Sequence, residues 1–202
     1  MRIQKSEDVH LSNLIFSEPK LNASGGRTIY IKNGDRRIYM MTPKSQMPFG
    51  IQEYISDCKR YSIHTLLQQT DFKLFLQKLD SFIINRATDN SELWFGKQID
   101  LQTVKGLYNP CLKDSLFRTR LPTKNGHFEG CVYDEHGNLI SIDNLKESCY
   151  VELLLECSGL YFIAKEFGVS WKVVQIRAYP NDVLDDYAFL SDDSFDSDAE
   201  PN

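Results

Sequence analysis

Residues 150–180 read YVELLLECSGLYFIAKEFGVSWKVVQIRAYP, and this stretch decides the fold class. It joins apolar runs to alternating apolar and polar residues, a pattern typical of β-strands. We expect a long strand from Tyr150 to Leu160, a turn region at Phe167-Gly168 and a last strand from Trp171 to Tyr179. Pro180 ends the last strand, since proline has no N–H to donate to a neighbouring strand.

Strand signals also precede this stretch. Residues 27–32 (RTIYIK) and 36–42 (RRIYMMT) alternate on either side of Asn33-Gly34, a dipeptide typical of a two-residue hairpin turn. Further short strands are expected at residues 51–54, 60–67, 116–120, 131–133 and 139–142.

One clear helix interrupts the strands. It begins near Thr70 or Asp71, has apolar residues at three- and four-residue spacing, and ends before Asn85. A second helical patch is expected at residues 91–96. Together these elements predict a mainly β (α+β) protein, an OB-like antiparallel β-barrel with one inserted amphipathic helix. We divide the chain into an N-terminal arm (1–24), the barrel domain (25–180) and a disordered acidic tail (181–202).

The tail holds much of the negative charge. From Asp182 onwards there are seven Asp and one Glu but no Lys or Arg, in a chain of net charge −5. The rest has 23 basic and 20 acidic residues, a net charge of about +3. Two interpretations stay open: the tail occupies a cationic surface until a polyanion displaces it, or it only confers solubility. Within it, a kinase that prefers acidic sites would phosphorylate Ser197. The regulatory candidates are Asp192, Asp193, Phe195, Asp196, Ser197 and Asp198.

Several function classes have no support. There is no apolar run of 18 residues for a membrane span, no signal-peptide core, and no CxxC or Cys/His pattern for zinc. Phosphate-binding, nucleophile-elbow and metalloprotease motifs are missing, and the four His are scattered. We therefore expect no catalytic residue, no metal and no cofactor. Reduced thiols are expected, with Cys149 and Cys157 in the core.

Basic and aromatic residues are interleaved in five clusters, at residues 27–32, 36–39, 59–61, 117–124 and 161–172. A surface for single-stranded nucleic acid needs cations for phosphates and flat rings for bases. Each cluster alone fits the solvent face of an ordinary strand, but five clusters with an acidic tail favour binding. In the first hairpin Tyr30 and Lys32 should be exposed and Ile29 and Ile31 buried. An apolar face makes Trp171 more typical of a core, and one of Trp94 and Phe95 should be exposed.

Residues 131–180 resemble the C-terminal part of a single-stranded DNA-binding protein family of large nucleocytoplasmic DNA viruses. TPKSQMPFGIQEY, residues 42–54, resembles the N-terminal signature of that family. The family is similar to the phage T7 gene 2.5 class, an OB-fold with an acidic C-terminal tail. The most specific piece is SGLYFIAKEFGVSWKVVQ, residues 158–175, and the resemblance covers roughly residues 27–180.

The resemblance implies sequence-tolerant binding of single-stranded DNA during viral DNA replication, recombination or repair. The tail would compete for the DNA groove and contact replication proteins. The class has a tail that ends in an aromatic residue, whereas this chain ends AEPN, with Phe189 and Phe195 further back. The expected location is the host nucleus or a cytoplasmic virus factory, with packaging in the virion as a further option.

The main alternative is a structural or minor capsid protein without nucleic-acid binding. Whether the chain forms a homodimer is left open. The candidate DNA-binding residues, taken from the clusters and the resemblance, are Tyr30, Lys32, Arg37, Tyr39, Phe49, Arg118, Arg120, Lys124, Tyr161, Lys165, Phe167, Trp171 and Lys172.

Overall fold

A computed structural model describes residues 3–22, 25–55, 60–68 and 70–179 of the protein, with the backbone alone at 54 and 55. The acidic tail and its regulatory candidates lie outside the described residues, as does the cluster member Lys59.

Strands dominate the described chain. The helices are α1 (Asp71–Asp89), α2 (Ser91–Phe95) and α3 (Leu101–Leu107), and short 3-10 turns lie at Ser6–Asp8, Leu11–Asn13 and Ile142–Asn144. The strands are β1 (Leu14–Phe16), β2 (Lys20–Leu21), β3 (Arg27–Ile29), β4 (Ile31–Asn33), β5 (Arg36–Arg37), β6 (Tyr39–Met41), β7 (Ser45–Gln46), β8 (Ile51–Ile55), β9 (Arg60–Leu66), β10 (Leu112–Lys113), β11 (Leu116–Leu121), β12 (Thr123–Lys124), β13 (His127–Phe128), β14 (Cys131–Tyr133), β15 (Leu139–Ile140), β16 (Tyr150–Ile163) and β17 (Glu166–Tyr179). The expectation of a mainly β protein with an inserted amphipathic helix is confirmed.

The strand pairings form a cycle. β16 pairs with β17, β17 with β11, β11 with β9, β9 with β7, and β7 again with β16. All of these pairs are antiparallel except β11–β17, which is parallel, so the expectation of a wholly antiparallel arrangement is wrong at this pair. Other strands extend the sheet from this cycle, while β1, β4 and β5 form a separate three-stranded sheet. The core lies on the inward side of the cycle, where Ile63, Phe117 and Leu155 are fully buried.

The β16–β17 hairpin is the longest element, and its turn differs from the expected one. The turn lies at Ala164, whose φ is +52°, and Ile163 pairs with Glu166. Phe167 continues the inward alternation of β17, so its ring stacks on that of Phe162 with centroids 5.4 Å apart. The prediction of a turn at Phe167-Gly168 is therefore wrong, because core packing of Phe167 keeps this dipeptide in the strand.

For the first hairpin, the predicted buried and exposed faces are confirmed, but the predicted turn is wrong. Ile29 and Ile31 are buried while Tyr30 and Lys32 are exposed, as expected. However, Asn33 pairs with Arg36, which places Gly34 and Asp35 at the centre of the turn. Only Gly34 of these two has a positive φ, +60°, a conformation that glycine adopts without a Cβ clash.

The helices follow their caps and apolar stripes. The Thr70 hydroxyl accepts a hydrogen bond from the Lys73 N–H at 3.3 Å, which fixes the start of α1. The helix runs past its expected end because Ala87, one turn after Ile83, continues the buried stripe. The sequence pattern missed α3, since Val104 is its one buried residue and offers no stripe to recognise.

A buried carboxylate joins α1 to the segment after α3. Asp80 accepts hydrogen bonds from the Tyr108 hydroxyl at 2.6 Å and from the Cys111 N–H at 3.0 Å. Burial raises the pKa of Asp80, and these hydrogen bonds oppose the rise because they favour the carboxylate. The residue is therefore a structural tie between helices.

The described part of the N-terminal arm packs against the rest of the fold. It contributes β1 and β2, and Val9 and Leu14 are buried in the main core. Cys149 and Cys157 are buried as expected. Trp94 is buried and Phe95 half-buried, so neither is the exposed aromatic that was expected. No helix within the described residues is long and apolar enough to cross a membrane.

Candidate nucleic-acid interface

Directly paired residues of neighbouring strands point to the same side of a sheet, so the pairings define rows of side chains. One such row, here called the basic row, crosses six strands on the outward side of the cycle, called the outer face. Five strand spacings of about 4.8 Å make the row about 24 Å long. Its members, in order from β8 to β6, are Gln52, Ser62, Arg120, Lys172, Glu156 and Tyr39.

A second row lies beside the first and shares β9, β11, β17 and β16 with it. Arg118 pairs with His64, and the Phe49 ring meets the His64 ring edge-on at a centroid distance of 6.2 Å. On the other side, Gly159 pairs with Ser170 and packs closely against the backbone of Tyr30. The parallel register that pairs Arg120 with Lys172 puts Arg118 beside Ser170, two residues earlier on each strand. Phe49 and Tyr30, which are 45% and 47% exposed, therefore lie at the two ends of a row centred on Arg118.

Tyr161 forms a third row with Gly168 and Thr28 as its partners. Its hydroxyl accepts a hydrogen bond from the Asn109 side chain at 2.8 Å, and the ring passes over Gly168. A Cβ at Gly168 would lie 2.7 Å from the Asn109 carbonyl oxygen, so glycine is required for this packing. The ring is held in place but stays partly open to solvent.

The first hairpin joins the basic row through an ion pair. Arg37 Nη1 lies 3.0 Å from Glu156 Oε1, and the neighbouring Tyr39 hydroxyl and Glu156 carboxylate raise the pKa of Arg37. Lys32 pairs with Arg37 across β4 and β5, which brings a second cation of the hairpin to the same region.

Two titratable rings of the outer face, those of His64 and Tyr161, are held in their neutral forms. Burial, reinforced by the nearby charge of Arg118, lowers the pKa of His64, so its imidazole is neutral at pH 7. Burial also raises the pKa of Tyr161. Within the described residues the buried Ser62 Oγ and His64 Nε2 have no hydrogen-bond partner, which is unusual for buried polar atoms. The face thus carries cations and rings, with two unsatisfied polar atoms buried directly beneath it.

The structure brings most of the predicted residues together on this face and its edge. Each has its side chain at least partly exposed there, at Tyr30, Lys32, Arg37, Tyr39, Phe49, Arg118, Arg120, Tyr161 and Lys172.

Two predicted residues require correction. Phe167 is fully buried against Phe162, and Trp171 is 3% exposed opposite Cys157. Their inward position in β17 leaves no ring face for a base, so they belong to the core and not to the surface.

Two lysines lie away from the rows. Lys124 is exposed in the β12–β13 hairpin, four residues beyond Arg120. Lys165 lies in the β16–β17 turn, seven residues before Lys172, which is about 23 Å along the strand. They mark opposite ends of the outer face.

Sequence reasoning missed several members of the face. Strand alternation places Ser62 and His64 on one side of β9, and this signal was available. The positions of the other members depend on pairings between distant segments, which no local pattern reveals. These members are Lys20, whose Nζ lies 5.6 Å from the Tyr30 ring centroid, together with Gln52, Asn109 and Glu156.

No cluster of three or more His, Cys, Asp or Glu side chains suited to a metal is found among the described residues.

Comparison with known families identifies the chain only as far as its family. It belongs to DUF5871, a family of unknown function whose model matches residues 54–191, about two thirds of the chain. No curated protein matches the sequence.

Solved structures similar to this one include phage proteins. The single-stranded DNA-binding protein from bacteriophage Enc34 is 10% identical, with a TM-score of 0.45 over 81% of this chain and 89% of that chain. The same protein in complex with ssDNA gives 10% identity and a TM-score of 0.45 over 82% and 96%. The single-stranded DNA-binding protein gp2.5 of bacteriophage T7 is 9% identical, with a TM-score of 0.48 over 77% and 100%. At such scores the likeness carries no assignment, which has to come from the outer face itself.

Proposed function

We propose that this protein binds single-stranded DNA with little sequence preference across its outer face, and that the cycle of strands is an OB-like barrel. The observation that carries the proposal is the grouping of Arg118 and Arg120 on β11 and Lys172 on β17 with two rings, that of Tyr161 on β16 and that of Phe49 in the bend before β8. Residues from distant parts of the chain contribute to it, so a chance local cluster does not explain it.

The chemistry of this face suits an unpaired strand. Guanidinium and ammonium groups bind phosphates, while a flat ring stacks on any base and contributes about 1–3 kcal/mol. In a duplex the bases are already stacked on one another, so rings such as Phe49 and Tyr30 have no free base face to contact. Rings at both ends of a row centred on Arg118 therefore favour single strands.

The wider role follows from the sequence. The acidic tail would compete with DNA for the outer face and contact replication proteins, and the resemblance to viral proteins points to replication, recombination or repair of viral DNA. On this proposal the protein acts in the host nucleus or in a cytoplasmic virus factory.

The test is fluorescence anisotropy of a labelled thirty-base oligonucleotide, titrated with full-length protein at two salt concentrations. We expect binding that weakens with salt, at a slope of log K against log salt of about −0.7 per phosphate contact. Arg118→Ala/Arg120→Ala should weaken binding and make the slope shallower by about one unit or more, since two cations are lost.

The matched control is Lys78→Ala/Lys105→Ala, which removes two exposed cations from α1 and α3. It should bind as the wild type does. An equal loss of DNA affinity in both double variants would show that only the net charge matters. The outer face would then not be the binding site. No binding by the wild type at low salt would favour the structural or capsid alternative.

A further inference from the structure

Glu156 is an acid in the middle of the basic row. Lys172 is its partner on β17 and Tyr39 its partner on β6. Its carboxylate lies 3.0 Å from the guanidinium of Arg37. An anionic oxygen therefore already lies against Arg37, on the strand next to the one that carries Lys172.

We propose that Glu156 competes with DNA phosphate for Arg37 and so limits the affinity of the single-stranded DNA site. The inference rests on the proposed function and adds a residue that sets its strength. Carboxylate and phosphate are both recognised by the planar fork of arginine, so one can replace the other on Arg37.

The two partners differ in how freely they can move. The Glu156 side chain is 16% exposed, whereas that of Arg37 is 69% exposed. Arg37 can therefore rotate towards a phosphate above the surface while Glu156 stays in the row. Binding then breaks an ion pair and brings a phosphate near a fixed carboxylate, and both effects oppose binding.

The same strand supplies a matched comparison. Glu152 lies four residues earlier on β16 and pairs with Arg177 at 2.8 Å, with side-chain exposures of 18% and 50%. It lies outside the three rows described above. If both ion pairs serve only the fold, removing the charge of Glu152 or of Glu156 should have the same effect on DNA affinity. If Glu156 competes with DNA, only removal of the Glu156 charge should tighten binding.

The experiment compares Glu156→Gln and Glu152→Gln with the wild type in the anisotropy titration. Glutamine keeps the size and an accepting oxygen but removes the charge. We expect Glu156→Gln to bind about threefold or more tightly, the scale of a partly exposed ion pair. Its salt slope should steepen by up to about 0.7, because in the wild type Arg37 is divided between Glu156 and the phosphate, whereas in the variant it is free to hold the phosphate throughout. Glu152→Gln should bind as the wild type does.

A second pair of variants tests the route through Arg37. In an Arg37→Ala background, Glu156→Gln should tighten binding less than it does in the wild type, since the contested cation is gone. Equal tightening by the two glutamine variants, or no tightening by Glu156→Gln, would overturn the inference while leaving DNA binding intact. No binding by the wild type would instead overturn the proposed function and this inference with it.

Discussion

Phe49 shows what one exposed ring contributes to the outer face. The residue is 45% exposed, and its ring meets that of His64 edge-on. The Gln52 side chain donates a hydrogen bond to the Phe49 carbonyl, which fixes the bend before β8. We expect Phe49→Ala to weaken DNA binding by about 1–3 kcal/mol, the value of one stacked base. The melting temperature should change little, because little core packing is lost.

Leu93→Ala is the control for Phe49→Ala, since Leu93 is 58% exposed on α2 and lies off the outer face. It should leave both affinity and stability unchanged. A loss of affinity in Phe49→Ala that is matched by a large fall in melting temperature would show that the ring supports the fold instead.

His64 makes stability depend on pH. Burial and Arg118 hold the pKa of His64 in the folded state below the ordinary 6.5. At pH values between the folded-state pKa and the unfolded-state pKa, the unfolded chain therefore binds more protons than the folded one. Stability due to His64 is therefore complete above about pH 6.5 and is lost as pH falls below it. We expect the urea concentration at the unfolding midpoint to decrease as the pH is lowered from 7.5 to 5.0, and to decrease less in the His64→Gln variant. Equal pH dependence in both proteins would contradict this.

At the residue scale, the sequence was most informative where alternation is regular. Tyr30 and Lys32 are exposed because Ile29 and Ile31 fill the core next to them. Alternation gives two faces of a strand but does not identify the inner one. For Phe167 the resemblance favoured the surface, whereas packing against Phe162 places it inside.

The close approach of β3 to β16 depends on one glycine in the long hairpin. Gly159 has φ +109°, and a Cβ there would lie 2.2 Å from the Ile29 carbonyl oxygen and 2.9 Å from Tyr30 Cα. Both contacts are with backbone, which cannot move aside easily. We expect Gly159→Ala to destabilise the protein by about 1–3 kcal/mol, measured by urea denaturation.

Gly106→Ala in α3 is the comparison for Gly159→Ala. Gly106 has no atom within 4 Å of an added Cβ and no positive φ. Alanine should therefore stabilise the helix by about 0.5–1 kcal/mol, the usual gain over glycine. If alanine lowers the free energy of unfolding at Gly159 and raises it at Gly106, the loss at Gly159 is steric and not a general effect of alanine. A neutral Gly159→Ala would contradict the close approach.

At the element scale, local signals identified α1, α2 and most strands but not every boundary. Thr70 and the apolar stripe specify α1 without help from the rest of the chain. The β4–β5 turn is shifted by one residue because β4 also pairs with β1, and Leu14 takes Asn33 as its partner. Such tertiary pairings override a dipeptide preference.

At the scale of the whole molecule, the outer face is non-local. Arg120 and Lys172 are 52 positions apart in the sequence, and Tyr39 joins their row from a third region. Composition predicted that cations and rings would be abundant on strands. Only the register of distant strands decides which of them become neighbours, and no single segment encodes that register.

The charge division between body and tail gives the last prediction. Residues 182–202 carry eight acids, and the remaining residues carry 23 basic and 20 acidic side chains. If the tail competes with DNA, the protein ending at Pro180 should bind the oligonucleotide more tightly than the full chain. The difference should shrink at high salt, because competition between charges is screened.

Changing the seven Asp to Asn and Glu200 to Gln keeps the length of the tail, so this variant should bind as tightly as the truncated protein. Unchanged or weaker binding by the truncated protein would show that the tail does not compete with DNA. The tail would then serve only for solubility or for contacts with partners.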